Sequence, residues 1–208
     1  MKFLKGGLCM LKLRVSAIIA AVAAVFFISP SFTGNNIKTQ TSTSQDAKLK
    51  WYTIEEAMEM NKKAPRKFFI DVYTQWCGWC KKMDATTFSN SIIADYLSKK
   101  YYPVKFDAEN TDTVYFKNKA YPFVASGFRG YNQLAYDWVD GRLSYPTIVF
   151  LDEQANTIQA IAGYREAEEL DKILKFFGED YYRNTDYGTF LANYKSPFSS
   201  SQAPAGGQ

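Results

Sequence analysis

Cys77 and Cys80 stand three positions apart in the run Trp76-Cys77-Gly78-Trp79-Cys80. Two thiols at this spacing, placed where a helix begins, are suited to dithiol–disulfide chemistry. Such chemistry needs one sulfur that ionises near neutral pH to attack a disulfide. It also needs a second sulfur close enough to resolve the mixed disulfide that forms. At a helix start the free amides and the positive end of the dipole stabilise a thiolate, which would lower the pKa of Cys77 from ~8.5 towards ~7 or below. Cys80, one turn further in, is expected to be shielded and to act as the resolving thiol.

The other residue types narrow the chemistry further. The 208-residue chain has three cysteines and no histidine. Cys9 lies in the N-terminal leader, and the remaining pair is too close in sequence to staple distant parts of a fold. Absence of histidine excludes Ser-His and Cys-His nucleophilic catalysis, histidine-bearing metal sites and haem attachment, where Lys81 occupies the position the motif would require. Zinc would want four ligands. Two thiolates with Met83 nearby could hold a soft cation such as Cu(I), which stays open as an alternative. No metal or cofactor is otherwise called for.

Charge says little about partners once the leader is set aside. Lys2, Lys5, Lys12 and Arg14 precede an apolar run over residues 15–28, followed by Ser29-Pro30-Ser31. This is the pattern of a secretory signal peptide over residues 1–31. The run is shorter than the ~20 residues that span a bilayer, so a retained membrane anchor is the second reading. The formal net charge is +4. Removing those four basic residues cancels it, so no nucleic-acid partner is expected. Location is expected to be exported, in the periplasm or cell envelope.

The elements that must position the cysteines can be read around them. Residues 32–50 are rich in Thr, Ser, Asn and Gln and read as a flexible linker. Thr53 has N-cap chemistry for a short helix over 57–63, stopped by Pro65. Residues 67–73 form an apolar, β-prone run broken by Asp71, as expected of a central strand covered on both faces. The cysteine motif then reads as a strand-to-helix turn, with Gly78 in the turn and Cys80 already helical. A helix over 91–99 and strands over 102–107, 146–151 and 157–162 follow, the last two as a hairpin. Ala167, Leu170, Ile173, Leu174 and Phe177 fall at helical spacing in a closing amphipathic helix. Between 112 and 142, Tyr131, Leu134, Ala135 and Trp138 at i, i+3, i+4 and i+7 imply a helix. Residues 184–208 are expected to be a largely disordered extension.

The strand Phe69-Ile70-Asp71-Val72-Tyr73, the motif with its leading Trp76, and Tyr145-Pro146-Thr147 downstream together resemble the active-site region of the thioredoxin superfamily. The resemblance covers residues 51–177. In style it is nearest to exported thioredoxin-like proteins and to the C-terminal domain of transmembrane thiol:disulfide interchange reductases. It implies an α/β thioredoxin fold over 51–183, a central mixed sheet flanked by helices, with a helical insertion at about 112–142 before the cis-proline strand. It also implies roles. Asp71 matches the buried acid that moves the proton of the inner cysteine, and Lys105 matches the lysine beside that acid. Tyr145-Pro146 matches the cis-proline element whose backbone pairs with an extended substrate, and Gly163 the glycine that keeps the groove open. Trp76, Gly78 and Trp79 would contact substrate. Blander readings remain for several of these: a surface lysine at 105, a trans proline opening a strand, a strand-ending glycine at 163, and tryptophans that only pack on the domain.

Trp79 stands where ordinary thioredoxins have proline and where oxidases and isomerases have histidine. Without that histidine the reduced thiolate is less stabilised, which favours a reductant. The expected function is an exported dithiol reductase of protein disulfides, recharged by a membrane electron donor. Two alternatives are a disulfide isomerase or oxidase, and a binding module that keeps the scaffold without turnover.

Overall fold

The computed structural model describes residues 48–198. The leader and most of the linker lie outside these residues, as do the last ten. Among the described residues no helix is long and apolar enough to cross a membrane.

The chain builds a four-stranded mixed sheet around the segment read as central. Strand β1 (Lys67–Tyr73) pairs in parallel with β2 (Tyr101–Asp107) on one side. On its other side it pairs antiparallel with β7 (Thr147–Leu151), which in turn pairs with the edge strand β8 (Thr157–Ala162). The order is β2-β1-β7-β8. All residues of β1 except Tyr73 are buried, because helices or the insertion cover both faces. Phe68, Ile70 and Val72 join the cluster that includes Ile54 and Ala57 of helix α1 (Ile54–Lys63). Phe69, on the opposite face, packs in a second cluster with Met83 of α2 (Gly78–Thr86), Leu97 of α3 (Ser91–Lys100) and Leu174 of α5 (Ala167–Gly178). Full burial of one such side chain contributes roughly 1.5–3 kcal/mol.

Local chemistry explains the helix starts. Thr53 and Glu56 form a reciprocal capping box at α1. The Asn90 side chain accepts from Ile92 N and Ile93 N at α3, and the Cys77 sulfur itself caps α2.

The insertion differs from the helical expectation. It comprises two β-hairpins, β3 (Val114–Phe116) with β4 (Lys119–Tyr121), and β5 (Phe123–Ser126) with β6 (Arg129–Asn132). Only the short α4 (Gln133–Trp138) is helical, and Tyr131 belongs to a strand. The first hairpin turns through Lys117 and Asn118, both at positive φ. This is the backbone of a primed turn without the Asn-Gly or Asp-Gly pair that signals one in a sequence. Asn132 secures the segment: fully buried, it caps α4, and its amide donates to the carbonyls of Asp112 and Tyr121.

Both domain boundaries move outwards. Leu49 is already buried in the second cluster, so the fold begins before Trp51. At the other end the expectation of disorder from 184 is corrected. Helix α6 (Tyr187–Asn193) places Phe190 against Phe176, with ring centroids 5.3 Å apart. Tyr194 and Ser196 then donate to the buried carboxylate of Asp171.

Candidate active site

β1 ends at Tyr73, and four residues later the backbone starts α2. Cys77 is the N-cap, and Cys80 sits one turn in. The two sulfurs are joined in a disulfide of 2.07 Å, with Cα atoms 5.3 Å apart. The Cys77 sulfur also accepts from the Cys80 N–H at 3.0 Å. In this oxidised form both cysteines are buried, Cys77 at 5% and Cys80 at 2% exposure. Gly78 is the first helical residue rather than a turn residue, and a Cβ there would meet nothing within 4 Å. No close approach demands glycine at that position.

Two exposed indoles flank the disulfide, Trp76 at 51% and Trp79 at 57%. Each is held by other groups. The Trp76 N–H donates to Glu109 at 3.0 Å, its ring meets Tyr145 edge-on at 5.9 Å, and the Arg129 guanidinium lies 4.6 Å from the ring centroid. Trp79 packs on Tyr164 at 5.4 Å, with the Lys82 ammonium close to both rings.

Tyr145 leads into Pro146 through a cis peptide bond. The Pro146 carbonyl accepts from Gly163 N–H at 2.7 Å, and Gly163 has a φ of 97°, a conformation that favours glycine. Tyr145-Pro146 and Gly163, from two separate parts of the sequence, thus lie together at one end of the sheet. Burial, with Glu109 and Asp107 nearby, pushes the Tyr145 phenol up to about 12, so it stays protonated.

Beneath α2 lies the buried acid. Asp71 shares the strand face of Phe69, which packs with Met83 of α2. It is paired in register with Lys105 on β2, and one carboxylate oxygen accepts from the Lys105 ammonium. The other oxygen has no partner. Burial raises the Asp71 pKa to about 6, with the Asp84 charge adding to the rise and Lys105 opposing it. Lys105 also donates to Asp84, which lies one turn after Cys80 on α2. Burial works against the Lys105 charge, but the two carboxylates outweigh it and hold its pKa above the ordinary lysine value. The line Asp71–Lys105–Asp84 therefore ties the strand to the cysteine helix and leads from a buried acid to a partly exposed one.

Sequence reasoning missed Asp84, Glu109 and Arg129. The four-residue step from Cys80 to Asp84 puts both on one helix face and could have marked Asp84. Nothing local marks the other two, since Trp76 and Glu109 are 33 positions apart. Among the described residues no three His, Cys, Asp or Glu side chains come together as a metal site.

A cysteine-capped helix follows a central strand, with a buried acid below and a cis-proline strand beside it, an arrangement suited to dithiol–disulfide chemistry. The thioredoxin-like domain family matches residues 54–178, and the chain belongs to that family. An uncharacterized protein of Archaeoglobus fulgidus is 27% identical over 71 residues, 34% of this chain and 56% of that protein. The match thus spans little more than half of that relative's length. Among solved structures, similar chains include DsbH oxidoreductase, at TM-score 0.48 and 19% identity over 69% of this chain and 93% of that one. A thioredoxin from Thermus thermophilus gives 0.47 and 18%, over 62% and 87%. A thioredoxin-fold protein from Helicobacter pylori gives 0.46 and 18%, over 62% and 78%.

Proposed function

We propose that this chain is an exported dithiol reductase that acts on disulfides of other envelope proteins and is recharged by a membrane electron donor. The observation that carries the reading is the Cys77–Cys80 disulfide at the start of α2, set above an acid whose pKa of about 6 lets it take and give a proton near neutral pH. In the reduced protein the Cys77 thiolate attacks one sulfur of a substrate disulfide, and the other substrate sulfur leaves as a thiolate. Asp71 takes the proton of Cys80. The Cys80 thiolate then attacks Cys77, closing the internal disulfide and expelling the second substrate sulfur. Two electrons pass to the substrate, and its thiolates take up two protons. A dithiol donor then reverses the sequence on the Cys77–Cys80 disulfide. Tyr145 and Pro146 would pair with the extended substrate backbone, and Gly163 leaves that edge open.

The reducing direction is supported by the residue types of the chain. The chain has no histidine to stabilise the thiolate of the reduced form, and that stabilisation is what makes a dithiol a strong oxidant. Export rests on the basic and apolar leader, and the likeness to interchange reductases on the residues around the motif.

Two measurements test the proposal. Equilibration of the protein with a redox couple of known potential should give a value near ~−270 mV; one near ~−120 mV would make it an oxidant instead. Cys80→Ala should trap partners as mixed disulfides on Cys77, and Cys77→Ala should abolish turnover. A Cys77 variant that still reduces disulfides would overturn the roles assigned to both cysteines.

A further inference from the structure

The β5–β6 hairpin stands beside the redox site, and no step of the chemistry uses it. Its two-residue turn has Gly127 at a φ of 58° and Phe128 at the tip, which is fully exposed. Single exposed aromatic side chains are common and need no explanation. This one lines a cleft of about 580 Å³ with Phe123, Gly130, Glu109 and Arg129. The cleft is built around a glycine. A Cβ on Gly130 would come within 2.1 Å of the Phe123 ring, so only glycine lets that ring lie across β6.

Two of the lining residues also hold Trp76. Glu109 accepts from the indole N–H, and Arg129 lies over the indole face while pairing with Glu109 at 3.3 Å. Cleft and redox site are therefore one continuous surface, joined through the residue that precedes Cys77. Within the cleft Arg129 and Glu109 pair with each other, and the rings of Phe123 and Phe128 supply its apolar surface. A polypeptide lying along the Tyr145-Pro146 edge with a sulfur at Cys77 has side chains a few residues away, at ~3.3 Å per extended residue, within range of this surface.

We propose that the β5–β6 hairpin is a specificity arm, and that its cleft receives an apolar, preferentially aromatic side chain of the polypeptide whose disulfide reacts at Cys77. The inference rests on the oxidoreductase reading and adds to it the class of substrate. Phe128 is the specificity residue; Glu109 and Arg129 position the arm against Trp76.

The test uses the whole chain and a set of disulfide-linked peptides, each with a single Phe placed two to six residues from the cysteine, and matched peptides with Ala. A small aliphatic disulfide is the reference. Wild-type protein should show a ratio of kcat/KM for the best Phe peptide over its Ala match of roughly tenfold, about 1.4 kcal/mol. In Phe128→Ser that ratio should fall close to one. A wild-type ratio near one, or a ratio that survives Phe128→Ser, overturns the inference while leaving the oxidoreductase reading standing. A wild-type protein inert towards every disulfide overturns that reading and the inference with it. Self-association abolished by Phe128→Ser would assign the cleft to a second copy of the chain and also overturn the proposal.

Discussion

Strand β1 carries a buried ionisable side chain near each end, and the two are treated differently. Lys67 is 4% exposed, and its ammonium is met by Glu153 at 2.7 Å and by Asp180 at 3.0 Å. Burial opposes its charge, but both carboxylates outweigh that and hold its pKa above the ordinary value. Four residues on, Asp71 is 1% exposed, with one oxygen paired to Lys105 and the other unpartnered. Here burial prevails and the pKa rises to about 6. Burial of charge therefore does not by itself point to the reacting end of the strand. Unspent hydrogen-bonding capacity and a proton affinity near neutrality are what set Asp71, the proposed proton acceptor, apart from Lys67.

The largest expected effect breaks the comparison at its functional end. Asp71→Asn keeps the shape but removes the proposed proton acceptor. Disulfide turnover at pH 7 should drop by about a hundredfold, as for loss of a general base, while stability at that pH holds or improves. A variant that turns over normally would show that the unpartnered oxygen is incidental.

The pH dependence of folding sharpens the same contrast. The folded Asp71 keeps its proton up to about pH 6, whereas the unfolded carboxyl, at 3.8, releases it earlier. Between these values the folded state binds more protons, so this group's contribution to stability falls as pH rises. At 1.36 kcal/mol per unit, the loss between pH 4 and pH 7 is about 2 kcal/mol. Urea unfolding at a series of pH values should show the wild type losing stability relative to Asp71→Asn across this window. Parallel curves would contradict the raised pKa.

The smallest effect falls at the other end. Lys67→Met leaves Glu153 and Asp180 without their ammonium, but both acids are partly exposed and can be solvated. Stability should fall by about 1–3 kcal/mol, with the reduction potential of the cysteine pair unchanged. A shift in potential would mean that the two ends of β1 are coupled.

Where the pattern is local, residue types alone were enough. The three-residue step between Cys77 and Cys80, the continuous apolar strand with Asp71 inside it, and Pro146 before an apolar run are short-range features set by backbone periodicity and capping. They were legible because strand and helix formation depend on neighbours within a few positions. At residues 187–194 a local signal was present but outweighed: Tyr187, Phe190, Leu191 and Tyr194 fall at i, i+3, i+4 and i+7. The Ser, Pro and Gly that follow suggested disorder instead. The first hairpin of the insertion gave no such signal, because strands of three residues closed by Lys117-Asn118 match no strong turn pattern; the second did carry one in Gly127, first of its two turn residues, but its strands of four residues are short.

Residue order alone therefore determined that a dithiol sits at a helix start after a buried strand, with an acid six positions ahead. Tertiary structure decided what surrounds it: Asp84 brought to Lys105, Glu109 and Arg129 closed on Trp76, and Gly163 set against Pro146. These contacts join segments up to 53 positions apart in the chain. They arise only after the sheet has chosen its register, and a register is a property of paired strands rather than of any one stretch of residues.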